Sequence, residues 1–281
     1  MFQSPMQSFE ISTAMPMFVL WIVLLALVLY LIRKKKLNKL FSSLILIASI
    51  LIGGIVLGAI PNAVMPIQQL LLVISLGGKL ILVVPMLIIL LFLLGSTLLF
   101  GRIFCGYACP LGALQELLSK LNFKSNLKRQ NEVKYAYTIP RKGGNIIRWI
   151  FFGILIVLAL IWSVALLQVI NPFLGFSYFL NPLAIVFLIP LLVLAIVSIA
   201  SIFIYRPWCR FLCPFGAISS LTSRLSRYKL TRTDACTECG LCEKICPTQE
   251  SFRDSKKGEC YLCNRCVDIC PVDAIKYKKK E

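Results

Sequence analysis

Two runs of one pattern limit what this chain can become. CTECGLCEKICP spans Cys236–Pro247 and CYLCNRCVDICP spans Cys260–Pro271, each reading C-x2-C-x2-C-x3-C-P, with starts 24 residues apart. The first three cysteines of such a run bring three thiolates to one metal cluster, and the fourth, just before proline, swings to the other. The spacing therefore predicts two [4Fe–4S] clusters. One is held by Cys236, Cys239, Cys242 and Cys270, the other by Cys260, Cys263, Cys266 and Cys246. Zinc ribbons also use C-x2-C pairs, but they do not account for a third and fourth cysteine twice over. Pro247 and Pro271 suit the first turn of a helix, where the missing N–H is not needed. All 12 cysteines fall in C-x2-C or C-x3-C spacings, which favours metal ligation in a reducing compartment over disulfides. Histidine is absent, which excludes His-ligated haem and the usual His-containing zinc sites.

Residues 230–281 resemble a bacterial-type two-cluster ferredoxin. The departure is the short link TQESFRDSKKGE between Cys246 and Cys260, which predicts a module that leans on the rest of the chain. That rest is mostly apolar. The 281 residues are 58% hydrophobic, with a mean hydropathy of +0.84, and the excess lies in five blocks: Ala14–Ile32, Leu40–Ile60, Leu80–Phe100, Ile146–Ile170 and Leu183–Tyr205. Each approaches the roughly 20 residues a membrane helix needs. The expected fold is an all-α transmembrane bundle of five spans with a two-fold internal repeat, followed by a small α+β two-cluster ferredoxin-like domain.

The net charge of +18 reads as topology. Of 30 Lys and Arg, 29 fall in the first loop, in 102–148 and from Arg206 onward; the other side holds Lys79 alone. The positive-inside rule then places the C-terminal module in the cytoplasm and the N-terminus outside a multi-pass cell membrane. Contact with anionic lipid is expected. No aromatic–basic platform points to nucleic acid.

The repeat is carried by GRIFCGYACPLGALQELLSKL from Gly101 and YRPWCRFLCPFGAISSLTSRL from Tyr205, each with C-x3-C-P-x-G-A. Each follows a span with an early proline, Pro85 or Pro190, and an outer loop with proline (Pro61 and Pro66; Pro172 and Pro182). Each precedes an amphipathic stretch, with Leu111, Leu114, Leu117, Leu118 and Leu121 on one face of the first, and Phe215, Ile218, Leu221 and Leu225 on one face of the second. The expected units are residues 1–39 (extra span), 40–124 (repeat 1), 125–145 (basic linker), 146–228 (repeat 2) and 229–281 (ferredoxin domain). Gly54-x3-Gly58 is a weak signal for close helix packing.

Proline disfavours helix at the residue before it, so a new helix should start at Pro110 and at Pro214, with Cys109 and Cys213 at its N-terminus. The pseudo-symmetry can gather Cys105, Cys109, Cys209 and Cys213. Three readings stay open for them: a further iron–sulfur or metal centre, a reactive dithiol or transient metal site, or inert buried thiols. Arg102, Arg206 and Arg210 either offset cluster charge or, the preferred reading, anchor helix ends at headgroups. Phe104, Tyr107, Trp208 and Phe211 read as interface-belt residues or as the lining of a quinone site, and Tyr205 and Trp149 as belt residues.

FCGYACPLGALQE and WCRFLCPFGA, followed by the two ferredoxin runs, resemble the NapH and NosR type of membrane iron–sulfur protein over residues 40–281. The resemblance implies electron transfer between quinol and a redox protein partner, with Cys105, Cys109, Cys209, Cys213 and the eight ferredoxin cysteines as its site residues. Against that family, the chain is expected to have an additional first span and to be without the large extracytoplasmic flavin domain of the NosR type. It reads as a redox subunit, a possible quinol dehydrogenase component, with no catalytic residue assigned. The rival reading is a membrane ferredoxin of metalloenzyme assembly, since proteins that help mature copper oxidases resemble it in the same motifs; a purely structural ferredoxin anchor is a third.

Overall fold

Proline and glycine decide where the apolar helices begin and end. The computed structural model describes residues 11–34, 39–57, 62–77, 83–130, 140–162, 166–180 and 185–279. Its membrane-like part is built from α1 (Ile11–Arg33), α2 (Lys39–Ala48), α3 (Met65–Ser75), α4 (Val84–Phe100), α5 (Pro110–Gln130), α6 (Arg141–Trp162), α7 (Leu166–Ile170), α8 (Pro172–Ser177), α9 (Leu188–Phe203) and α10 (Pro214–Arg224). The C-terminal part holds β1 (Tyr228–Arg232), α11 (Leu241–Ile245), α12 (Arg265–Asp268) and β2 (Ile275–Lys279).

The bundle of five spans is not supported. Among the residues whose side chains are described, one stretch, Gly143–Ile161 in α6, is helical and apolar over a length that crosses a bilayer; the other apolar helical stretches within that set are shorter. The hydropathy reading counted apolar residues and missed the breaks between them. Pro85 lies in the first turn of α4, and Gly101 ends it with φ of 75°, leaving 17 residues, roughly 26 Å of helix against about 30 Å of hydrocarbon. The last block is split into a 3-10 turn at Ile185–Phe187 and the 16 residues of α9. In the second block, α2 passes into a π-helical stretch at Ser49–Val56. The external N-terminus rested on an odd number of crossings and loses its basis with them.

Two of the expected outer-loop prolines instead open helices. Pro66 lies in the first turn of α3 and Pro172 in that of α8, where the lack of an N–H costs nothing. Asn171 Oδ1 caps α8 by accepting from Phe173 N at 3.2 Å. Pro61, Pro182 and Gly58 lie outside the described residues. Gly54 meets the ring of Phe176: a Cβ added there would come within 2.9 Å of it.

The repeat is visible in the backbone. Each C-x3-C segment forms one π-helical stretch, Phe104–Ala108 or Trp208–Leu212. Each then turns extended at its second cysteine, φ −76° and ψ 119° at Cys109 and φ −75° and ψ 115° at Cys213, and enters a helix at the proline. The two units interlock: α5 packs on α9, and α10 packs on α4. Thr97 of α4 and Thr222 of α10 share a hydroxyl–hydroxyl hydrogen bond of 2.7 Å.

The C-terminal part closes with an antiparallel pair in which Tyr228 faces Lys279 and Arg232 faces Ile275. It is docked on the end of α4. Arg227 N donates to Leu98 O at 2.9 Å, Tyr277 Oη donates to Phe100 O at 2.8 Å, and the rings of Phe100, Tyr228 and Tyr277 stack in series. The module leans on the rest of the chain, as its short internal link predicts.

Candidate metal centres

The two C-terminal runs share one backbone course. The residue before the second cysteine has positive φ in both (Glu238 54°, Leu262 56°), as does the residue after it (Gly240 72°, Asn264 61°). A non-glycine residue reaches this region at a cost, and here the turn wraps the loop around a hollow. The third cysteine sits in a short helix, Cys242 in α11 and Cys266 in α12. The fourth then accepts an N–H from four residues on: Glu250 N to Cys246 Sγ and Ala274 N to Cys270 Sγ, both 3.3 Å.

Two cavities result. One is lined by Cys236, Cys239, Cys242 and Cys270. The other is lined by Cys246, Cys260, Cys263 and Cys266. These are the two crosswise sets that the spacing predicts. All twelve cysteines are free, and among the described residues no three ligand-type side chains are drawn together around a single metal ion. Four thiols around a hollow fit a cluster of several irons. Burial pushes the Cys263 thiol up to about 11 and that of Cys260 up to about 12, so cluster binding must displace their protons.

The C-x3-C cysteines form a third thiol group. Cys105, Cys109 and Cys209 are each 6% exposed and Cys213 is 8% exposed. They lie within electrostatic reach of one another. Gly112 N donates to Cys109 Sγ at 3.5 Å, Gly216 N to Cys213 Sγ at 3.3 Å, and Gln115 Nε2 to Cys209 Sγ at 3.4 Å. Burial raises the Cys209 thiol to about 11, although Arg206 and Arg102 pull it down.

The arginines are not headgroup anchors. Arg102 and Arg206 have no exposed surface and Arg210 has 6%. Arg102 donates to Glu259 at 2.9 Å, and Arg148 reaches both oxygens of the same carboxylate at 3.1 and 2.7 Å. Glu116 takes Arg206 Nε at 3.0 Å, Arg265 at 2.7 Å and the Tyr205 hydroxyl at 2.6 Å. Arg206 also crosses to repeat 1, donating to the carbonyls of Cys105 and Gly106, while Arg102 crosses to Gly216 O of repeat 2. Among the described residues, six buried cations accompany three buried carboxylates. Buried charge is costly unless it is paired, and Glu259 and Glu116 each take two of these arginines.

This network overturns further expectations. Phe104, Tyr107, Trp208 and Tyr205 are buried core residues with at most 2% exposure, not a membrane belt. The inward faces of the post-motif helices add polar groups to the apolar Leu111 and Phe215, which are buried as their spacing predicts. α5 buries Gln115, Glu116 and Ser119 while Leu121 is 64% exposed, and α10 buries Ser219, Ser220 and Ser223 while Leu225 is 76% exposed. Sequence reasoning missed Gln115, Glu116, Arg148, Glu259, Tyr261 and Arg265. One signal was available: an arginine stands three residues before the first cysteine in both repeats.

Comparison with known proteins agrees with this chemistry. A family model described as "4Fe-4S binding domain" matches at residues 82–128 and again at 185–233, and a second model of the same description matches at 257–276. The chain is 32% identical to the "Putative electron transport protein YccM" of Escherichia coli over 63% of its own length and 50% of that protein. It is 31% identical to "Uncharacterized protein MJ0750" of Methanocaldococcus jannaschii, over 64% of this chain and 74% of that one. It is also 31% identical to the "Regulatory protein NosR" of Pseudomonas aeruginosa, over 67% of this chain and 27% of that one. Proteins named NapH and MauN, each "ferredoxin-type", match at lower identity. The chain thus spans about half the length of YccM. No solved structure matches.

Proposed function

Because this chain belongs to the NapH/NosR-type family of ferredoxin-type iron–sulfur proteins, we propose that its electron-transfer role joins the membrane quinone pool to a redox protein partner. Cys236, Cys239, Cys242 and Cys270 hold one [4Fe–4S] cluster, and Cys246, Cys260, Cys263 and Cys266 a second. Cys105, Cys109, Cys209 and Cys213 provide a further metal or redox centre. The observation that carries this reading is the pair of cavities, each lined by one crosswise set of four cysteines.

A bound [4Fe–4S] cluster supplies one-electron storage at a potential set by charge, hydrogen bonds and exposure. The chain's own residues set those conditions. The buried arginines around Glu116 and Glu259 favour negative charge nearby, and the π-helical stretches keep the C-x3-C thiols away from water. A quinol releases two electrons and two protons, so a pair of one-electron sites matches one quinol.

Attachment to the cell membrane is supported by α6, whose Ile146, Ile150, Ile154, Val157 and Ile161 form an exposed apolar stripe. A cytoplasmic side for the ferredoxin module is supported by the fifteen Lys and Arg from Arg206 onward.

The test is anaerobic. The full chain is purified in detergent, reduced with dithionite, freed of excess reductant and mixed with a quinone while cluster absorbance and EPR are followed. Fast quinone-dependent reoxidation, slowed when Cys105, Cys109, Cys209 and Cys213 are replaced, is expected. Reoxidation no faster with quinone than without it would overturn the quinone reading and move a metalloenzyme-assembly role ahead.

A further inference from the structure

Tyr261 lies between two cysteines of one ferredoxin loop, Cys260 and Cys263, and is 2% exposed. Its ring is held between two guanidiniums. Arg102 Cζ and Arg206 Cζ each lie 4.4 Å from the ring centroid. These are the equivalent arginines of the two repeats, each three residues before the first cysteine of its motif. Cation–π contacts between fully buried partners are at the strong end of their range.

The surrounding contacts fix the loop as well as the ring. Tyr261 Oη donates to Glu259 Oε2 at 3.3 Å, the carboxylate that Arg102 and Arg148 also hold. Tyr107 Oη, from the first C-x3-C stretch, donates to Leu262 O at 3.0 Å. Gly106, inside that stretch, comes so close that an added Cβ would lie 2.4 Å from Tyr261 O. The Nε of Arg102 is buried with no hydrogen-bond acceptor among the described residues, although Cys105 and Cys209 lie close enough to act on its charge.

We propose that Tyr261 is a positioning residue: clamped between Arg102 and Arg206, it holds the Cys260–Cys266 loop in fixed register with the four C-x3-C cysteines and keeps two guanidiniums beside that loop. The inference rests on the cluster assignment above. Two positive charges favour the reduced, more negative state of a cluster on this loop, so loss of the ring lowers that cluster's potential. A ring without the hydroxyl keeps the clamp.

The experiment compares wild type, Tyr261→Phe and Tyr261→Leu as full chains in detergent. Iron and sulfide content is measured first, then EPR-monitored redox titration, with the signal assigned by its loss in Cys263→Ser. Tyr261→Leu is expected to shift the reduction equilibrium of this cluster at least tenfold towards the oxidised form, 59 mV for one electron. Tyr261→Phe should stay within twofold of wild type. An unchanged potential in Tyr261→Leu with full iron content overturns the positioning role alone, whereas absence of cluster signals in the wild type sinks the assignment beneath it. If Tyr261→Leu loads too little iron, Arg102→Lys decides, because an ammonium lacks the planar face that stacks on the ring. It should move the potential in the same direction, and no movement overturns the proposal.

Discussion

Replacing Glu116 by glutamine tests whether the buried network holds the two repeats and the ferredoxin module together. The carboxylate is 3% exposed and takes Arg206, Arg265 and the Tyr205 hydroxyl at 3.0, 2.7 and 2.6 Å. Burial alone would raise its pKa, but the Arg265 and Arg206 charges and the Tyr205 hydroxyl outweigh burial and hold it at about 2 against an ordinary 4.5. At 1.36 kcal/mol per unit this corresponds to about 3 kcal/mol of stability at neutral pH, and breaking a buried ion pair from one side costs a similar ~3–5 kcal/mol. In a chain of this size the change lowers Tm by about 6–12 °C. The folded pKa lies below the unfolded one, so the contribution is fully present above pH 4.5 and is lost as pH falls through about 2. Thermal melts of wild type and Glu116→Gln in detergent, followed by circular dichroism from pH 3 to 8, give the comparison. The gap in Tm should be constant above pH 6 and narrow below pH 4.5. A gap under about 2 °C at pH 7, or one that does not change with pH, would refute the reasoning.

Two further predictions concern single sites. Cys246→Ser should cost the cluster shared with Cys260, Cys263 and Cys266 and spare the one on Cys236, Cys239, Cys242 and Cys270. Iron analysis and EPR should therefore show one cluster lost, and a loss assigned to Cys236, Cys239 and Cys242 would reverse the crosswise pairing. Gly106→Ala should lower Tm by the equivalent of about 1–3 kcal/mol of overpacking, because its Cβ would meet Tyr261 O at 2.4 Å. Gly95→Ala, with nothing within 4 Å of the new methyl, should be neutral or mildly stabilising by the same melt.

What could be read from the sequence was what is written locally. Four cysteines within eleven residues leave little choice of partner, so spacing alone pointed to two sets of four cysteines, and the structure lines one cavity with each. Cys109–Pro110 and Cys213–Pro214 likewise announced their helix starts, because proline constrains the residue before it and the helix after it. The spans failed for a reason of the same kind: hydropathy says nothing of a π-helical turn at Ser49–Val56 or of where Pro85 restarts a helix. The buried faces failed for the opposite reason. Helical spacing put Leu111 to Leu121, and Phe215 to Leu225, on one apolar face each. The structure buries only the first of each set, Leu111 and Phe215, and turns Leu121 and Leu225 outward, while Glu116, Ser119 and Ser223 face the interior that holds the thiols and arginines. The partners of those polar groups are distant in the chain: Arg102 finds Glu259 across 157 positions and Arg265 finds Glu116 across 149. No local pattern encodes such a pair. What the sequence does carry is the pair Arg102 and Arg206, each three residues before the first cysteine of its motif, and these are cations that the buried carboxylates Glu259 and Glu116 take.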